Sequence, residues 1–93
     1  MINYRNITPK FIRRILVLRE YRITKAIIKN LKDPEKGEIV FHKDLMENWS
    51  PRMLRSKVYY EAMYEYYCNA LIQHEGRLEE LKHEMRELGV KLE

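Results

Sequence analysis

Positively charged side chains are concentrated at one end of this sequence. The first 32 residues hold nine Lys and Arg against a single acid, Glu20, whereas residues 33–93 hold nine Lys and Arg against thirteen Asp and Glu. Fixed cations at this density attract the phosphate backbone of nucleic acids whatever its base sequence, and the binding weakens as salt is added. Salt-sensitive phosphate binding is therefore the first chemistry that the sequence predicts. The candidate contacts are Arg13, Arg14, Arg19, Arg22, Lys25 and Lys29, on a cationic face that also takes in Arg5, Lys10 and Lys32.

Two other interpretations of this cationic face stay open. One is a solvated helix surface whose charge balances the acidic segment of the same or a neighbouring subunit. The other is a helix lying on a membrane surface, which needs similar cations beside a continuous apolar stripe. Because the apolar pattern breaks between Arg19 and Arg22, we expect no membrane contact.

The elements that must position these cations are predicted to be helices. Thr8 followed by Pro9 is typical of a cap and a first helical position, so a helix should begin at Pro9. The side predicted to be buried holds Phe11, Ile12, Ile15, Leu16 and Leu18, and the opposite side holds Lys10, Arg13, Arg14 and Val17. An unbroken helix with that side inward would bury Arg22, Lys25 and Lys29. We therefore predict a break near Glu20 to Arg22 and a second helix capped by Thr24.

The middle of the chain carries signals for short elements. Asp33, Pro34 and Gly37 should end the second helix in a surface turn. Glu38 to Phe41 is predicted to be a short strand, and Lys43 to Asn48 a short helix. Ser50 and Pro51 repeat the cap-then-proline signal, so the longest helix should begin at Pro51 and end near Gly89.

A second group of candidate contacts lies at the predicted start of that long helix. In a helix-turn-helix an apolar residue closes the turn, a Ser caps the second helix, and an apolar residue four positions on anchors it, which Trp49, Ser50 and Leu54 fit. Arginines near an exposed helix N-terminus suit phosphates or guanine edges. The candidates here are Arg52, Arg55 and Tyr59, with Ser56 beside them.

The predicted order of helix, short strand, short helix and long helix, from about Pro9 to Leu92, resembles that of DNA-binding winged-helix proteins. PadR-like regulators and small archaeal dimers with a coiled-coil tail share this architecture. The resemblance implies DNA binding. No hairpin-forming sequence follows Tyr59, where such proteins have their wing.

The long helix carries a heptad-like apolar stripe. Its members alternate three and four residues apart, namely Tyr60, Tyr64, Tyr67, Leu71, His74, Leu78, Leu81, Met85, Leu88 and Leu92. We predict that Tyr64 to Leu88 form an antiparallel coiled-coil dimer, in which Arg77 meets Glu84 of the partner and Glu75 meets Lys82 of the partner. The alternative is that the stripe packs on the N-terminal helices of the same chain.

The sequence gives little support for a disulfide, a metal site, base stacking or catalysis. Cys68 is the only cysteine, which excludes an intramolecular disulfide and favours a reducing compartment. Glu80, His83, Glu84 and Glu87 share an exposed helix face without a second helix of ligands, so we predict no metal site. In the tyrosine cluster of residues 59–67, Tyr60, Tyr64 and Tyr67 should pack in the stripe rather than stack on bases, which leaves Tyr59 and Tyr66 on the surface. No phosphate-binding loop or nucleophile elbow is present, and we expect no catalysis, cofactor or small-molecule substrate.

Together these patterns predict one mainly α-helical domain over residues 1–93. It would consist of a basic helical segment (1–32), a turn with a short strand and short helix (33–50), and a long helix (51–92). The predicted function is that of a dimeric, cytoplasmic DNA-binding protein that regulates transcription or organises DNA. The alternative is a helical adaptor that self-associates and docks on an acidic protein, and RNA binding stays open as a third reading.

Overall fold

The structure, a computed structural model, describes residues 9–90 and contains three α-helices. Helix α1 spans Lys10–Lys32, α2 spans Glu38–Glu47 and α3 spans Lys57–Glu87. No strand occurs between residues 9 and 90. The mainly helical class predicted from the sequence is confirmed.

Helix α3 is the spine on which the other two helices pack. Arg14 near the start of α1 contacts Leu88, and Glu20 one to two turns later contacts Arg77, so α1 runs antiparallel to the C-terminal half of α3. Helix α2 packs on the N-terminal half, where the rings of His42 and Tyr67 lie 5.0 Å apart. The result is an elongated molecule of 57 × 31 × 16 Å rather than a sphere.

The hydrophobic core lies between α1 and the end of α3. Its buried members are Val17 and Tyr21 from α1 and Leu81, Met85 and Leu88 from α3 and its cap. Burying one such aliphatic side chain stabilises a fold by about 1.5–3 kcal/mol. Among the described residues these five form the cluster, with Leu18, Leu78 and Val90 packed against it, so the packing of α1 on α3 is centred on a small apolar core.

Helix α1 is continuous, and the predicted break near Glu20 to Arg22 is wrong. The prediction chose the wrong side of the helix as the buried one: Val17 is 1% exposed, whereas Phe11 and Ile15 are each 63% exposed. The buried side is a stripe of Val17, Tyr21, Thr24 and Leu31. With this side inward the cations of the second half face solvent, so no break is needed. Thr24 is a buried helix-interior residue and caps nothing.

The observed ends of α1 lie close to the ends that the sequence predicts. The helix begins at Lys10, directly after Pro9, and Thr8 lies outside the described residues. After Lys32, the carboxylate of Asp33 accepts hydrogen bonds from the amides of Glu35 (2.8 Å) and Lys36 (3.0 Å), which lower the Asp33 pKa. A Cβ at Gly37 would lie 2.5 Å from the Asp33 carbonyl oxygen, so this turn requires glycine.

The predicted strand at Glu38 to Phe41 is wrong, because these residues form the first turn of α2. The Phe41 amide donates to the Gly37 carbonyl (3.0 Å) in a helical hydrogen bond. The β-branched pair Ile39 and Val40 favoured a strand, but strand propensity yields to tertiary packing. The predicted helix at Lys43 to Asn48 is the second half of the same helix.

The long helix begins six residues later than predicted. Pro51 to Arg55 form a turn in which Trp49 Nε1 donates to the Arg55 carbonyl (3.0 Å). Ser56 is the N-cap, and its hydroxyl accepts from the Tyr59 amide (3.2 Å). Leu54 is fully exposed and anchors nothing, so the helix-turn-helix positions assigned to Ser50 and Leu54 are wrong.

The predicted end of the long helix is confirmed. Gly89 has a φ of 73°, and its amide donates to the Arg86 carbonyl while the Val90 amide donates to the Met85 carbonyl (2.8 Å). These two bonds make a Schellman motif, in which glycine adopts the left-handed conformation at low cost.

The position of the α3 cap can be tested by two serine substitutions. Ser56→Ala should lower the free energy of unfolding by about 1 kcal/mol, since it removes the N-cap hydrogen bond. Ser50→Ala should cost less, because Ser50 Oγ accepts only a 3.3 Å bond from Arg52 within the turn. Urea denaturation followed by circular dichroism measures both. A larger loss for Ser50→Ala would show that the helix starts at Pro51 after all.

Candidate nucleic-acid interface

The outer side of α1 carries a line of cations. Arg22, Lys25, Lys29 and Lys32 are exposed and lie three or four residues apart, so they form one strip about 15 Å long. We call these four residues the cationic strip. Over its whole length α1 holds eight Lys and Arg against one acid, Glu20. The structure thus brings three of the predicted contacts, Arg22, Lys25 and Lys29, onto a single accessible surface.

Two members of the strip, Lys32 and Lys25, are exposed and make contacts with other side chains. Lys32 forms an ion pair with Glu75 of α3 (3.3 Å), in which both side chains are about half exposed. Lys25 Nζ lies 5.7 Å from the centre of the Tyr21 ring. Exposed ion pairs contribute little to stability and are screened by salt, so a phosphate can replace the carboxylate at little cost. Arg19 is also exposed, one turn before the strip.

Two predicted contacts have a different place in the structure. Arg14 Nε donates to the Leu88 carbonyl (2.6 Å), one of the carbonyls that the end of α3 leaves without a helical partner. Arg13 is half-buried, and its Nε has no hydrogen-bond partner. These two arginines lie at the junction of α1 and α3, so the structure separates them from the cationic strip.

The second predicted group lies in a turn rather than on a helix. Arg52 and Arg55 are exposed, and the Arg55 guanidinium lies 5.0 Å from the centre of the Tyr59 ring. Lys32, at the end of the strip, pairs with Glu75 of α3. Glu75 lies eighteen residues after Lys57, the first residue of α3, so the end of the strip is about 27 Å from the turn that precedes α3. The two groups of cations therefore form separate surfaces.

The predicted dimerisation stripe is largely used within the chain. Leu81 and Met85 are 0% exposed and Leu88 is 2% exposed, and all three pack on α1, with Leu78 against the same cluster. Arg77 donates to Glu20 of its own chain (2.9 Å), and Glu84 is buried, so neither is placed for the predicted charge pairing. The structure thus contradicts a partner-facing seam from Leu78 to Leu88 and agrees with the intramolecular alternative.

The first half of the stripe is also turned toward the protein. Tyr67 packs on His42, and Tyr64, Leu71 and His74 are half-buried. A hydrogen bond with the Cys68 thiol raises the pKa of Tyr64, and burial, with Glu38 nearby, raises that of Tyr67. Both phenols are therefore neutral at physiological pH. Tyr66 remains largely exposed, as predicted, and Tyr59 less so.

Sequence reasoning missed an apolar groove on the outside of α1. Ile15, Leu18 and Ile23, together with the side chains of Arg19 and Arg22, line a depression of about 290 Å³. Of the residues assigned to the core face of α1, Phe11, Ile15 and Leu16 are thus exposed, whereas Leu18 also packs against the core cluster. The signal that identifies the true core face is the 4-3-4-3 spacing of Val17, Tyr21, Thr24, Ile28 and Leu31, which contains a tyrosine and a threonine.

Between residues 9 and 90 no three His, Cys, Asp or Glu side chains are grouped so as to hold a metal ion. Within the same range, no helix has the length and apolar character needed to cross a bilayer.

Comparisons of the chain with protein-family models, with curated proteins and with solved structures found no match. The winged-helix resemblance and DNA binding therefore stay predictions.

The intramolecular role of the α3 stripe can be tested at Met85. Met85→Ala should lower the free energy of unfolding by about 2–5 kcal/mol, because it removes buried apolar contacts and the surrounding side chains relax only partly into the cavity it leaves. Ile72→Ala on the same helix is the matched control, since Ile72 is 67% exposed, and its effect should stay within about 0.5 kcal/mol. Chemical denaturation measures both. Equal effects would show that Met85 does not lie in a packed core.

Proposed function

We propose that this chain binds duplex DNA through the cationic strip of α1, as a regulatory or architectural DNA-binding protein. The observation that carries the proposal is the alignment of Arg22, Lys25, Lys29 and Lys32 on one exposed line of a helix. A rigid row of cations meets several phosphates at once, and each neutralised phosphate releases counterions.

The distribution of acids supports an anionic ligand for this surface. Most of the carboxylates of α3 that could neutralise α1 are engaged on their own helix: Glu80 with Arg77 (3.0 Å), Glu79 with Lys82 (3.2 Å), and Glu87 with His83 (3.0 Å). Two of the described ion pairs join the helices, Glu20 with Arg77 and Glu75 with Lys32, and every Lys and Arg of α1 except Arg13 is exposed. Helix α1 therefore keeps most of its positive charge on its surface.

Arg52 and Arg55 extend the proposal to a second contact. They are exposed in the turn before α3, about 27 Å from the end of the strip as estimated from helix length. In this proposal the strip supplies affinity without sequence preference, since phosphate contacts carry no base information. Any reading of base edges would fall to the two arginines of the turn.

A second candidate function, a helical adaptor that docks on an acidic protein, is favoured by one observation. Phe11, Ile15 and Ile23 are 51–63% exposed beside Arg19 and Arg22. Apolar patches rimmed by charged residues are common at protein–protein interfaces, and DNA phosphates do not explain them.

The cationic strip can be tested by neutralising its centre. The double variant Lys25→Gln, Lys29→Gln should bind duplex DNA about tenfold more weakly at moderate salt. Its plot of log affinity against log salt should be shallower by about 2, since each phosphate contact contributes roughly 0.9 to the slope. Fluorescence anisotropy with labelled duplexes of unrelated sequence measures both quantities.

The matched control removes the same charge elsewhere. Lys36→Gln, Lys43→Gln alters two exposed lysines of the turn and of α2, and it should keep the wild-type salt slope. If the wild-type chain does not bind DNA in dilute buffer, the proposed function is wrong. If the two double variants lose affinity equally, net charge and not the strip is responsible.

A further inference from the structure

We infer that the outer side of α1 is a homodimer interface, in which two copies of the helix pair antiparallel with Ile15 at the twofold axis. Phe11 of each copy then fills the groove of the other. The pairing itself depends only on the surface of α1. Its consequence for DNA, given below, rests on the proposed function.

The outer side of α1 changes character along its length. Phe11, Ile15 and Leu18 occupy the first half of a line with 4-3-4 spacing that continues into the cationic strip at Arg22. Phe11 and Ile15 are each 63% exposed, and Leu18 is half-buried. Exposed apolar side chains of this size in a row mark an interaction surface rather than scattered solvent contacts.

The groove and the side chain that would fill it lie in matching register. The groove residues Ile15, Leu18, Arg19, Arg22 and Ile23 are centred at the level of Arg19. In an antiparallel pair with Ile15 at the axis, the partner's Phe11 lies at that same level. The groove is an open depression of about 290 Å³ on the surface of α1, against which an aromatic ring can pack. Arg19 and Arg22 would flank the ring, where guanidinium groups interact favourably with aromatic faces.

Charge selects the antiparallel arrangement. A parallel pair would lay one cationic strip along the other, which is strongly unfavourable without counterions. In the antiparallel pair the overlap is confined to residues 10–20, which brings Phe11 and Ile15 of the two copies together, and the two strips point away from each other. Because each copy offers both a protruding ring and a groove, the contact is isologous and closes at two subunits.

The small core of the monomer is a physical reason for the chain to dimerise. Five side chains form the buried cluster between α1 and α3, and small domains with little core commonly gain stability by association. The predicted stripe on α3 is not available for this association, because its second half packs on α1 and Tyr67 in its first half packs on α2. The remaining apolar side of α1 is free to do so.

Under the proposed function, the pairing sets the distance between the two DNA contacts. The cationic strip is centred near residue 27, twelve residues from the axis, so the centres of the two strips would lie about 36 Å apart. One helical turn of B-DNA spans about 34–36 Å. The two strips would therefore meet the same face of a duplex one turn apart.

Cysteine cross-linking tests the register directly. Two variants are made in a Cys68→Ser background, because Cys68 is the only native cysteine. Ile15→Cys should form a disulfide-linked dimer under mild oxidation, since each copy of residue 15 would face the other across the axis within bonding reach. Ile23→Cys is the matched control: it lines the same groove, but its two copies would lie about 24 Å apart along the helices. Equal cross-linking of the two variants, or no cross-linking at Ile15→Cys, would overturn the inference.

Light scattering on a sizing column provides the second measurement. The wild-type chain should elute with twice the mass of 11.4 kDa at high protein concentration, and Phe11→Glu should reduce it to the monomer mass. Ile72→Glu, on the outer side of α3, should leave the dimer intact. A wild-type chain that is monomeric at every concentration excludes a homodimer and would leave an acidic partner as the ligand of the groove.

The two proposals fail in different ways. A cross-linked dimer that ignores DNA would overturn the proposed function and leave the pairing intact. A monomeric chain whose DNA binding still depends on Lys25 and Lys29 would overturn the pairing and leave the proposed function intact.

Discussion

The packing of Leu81, Met85 and Leu88 on Val17 and Tyr21 is the interaction on which the rest of this structure depends. It joins the two ends of the described chain, since residues sixty or more positions apart in sequence meet there. Once α1 lies on this part of α3, its rotation is set, and every other side chain of α1 has its place decided. The polar contacts of Arg14 with Leu88 and of Glu20 with Arg77 then align the helices along their length.

That rotation gives α1 two apolar sides of different kinds. The inward side is mixed, with a tyrosine and a threonine among its buried residues, while the outward side holds Phe11, Ile15 and Ile23. The same rotation that exposes these residues also exposes the cations that follow them, which places an apolar surface and a charged one end to end.

Local hydrogen bonds, rather than the hydrophobic core, determine where the helices begin and end. Asp33 and Gly37 form a tight turn that redirects the chain into α2, and Ser56 begins α3 after a turn tied by Trp49. Glycine is needed at Gly37 by the closeness of carbonyl oxygens and at Gly89 by its positive φ. These contacts join residues that are neighbours in sequence. They leave the N-terminal half of α3 to pack on α2 and the C-terminal half to pack on α1.

Sequence alone determined the features that depend on composition and on near neighbours. The helical class, the beginning of α1 after Pro9, the turn at Asp33 to Gly37 and the end of α3 at Gly89 all follow from residue propensities and capping chemistry, which act over a few positions. The uneven charge was equally visible, but the alignment of Arg22, Lys25, Lys29 and Lys32 on one exposed line was not, because the sequence predicted a break in α1 next to these residues. Tertiary structure alone decided which side of each amphipathic helix turned inward. Helix α1 has two stripes of similar spacing, and the α3 stripe fits either a partner or its own chain. Choosing between them depends on the shape of a surface distant in sequence, and helical periodicity carries no record of that shape.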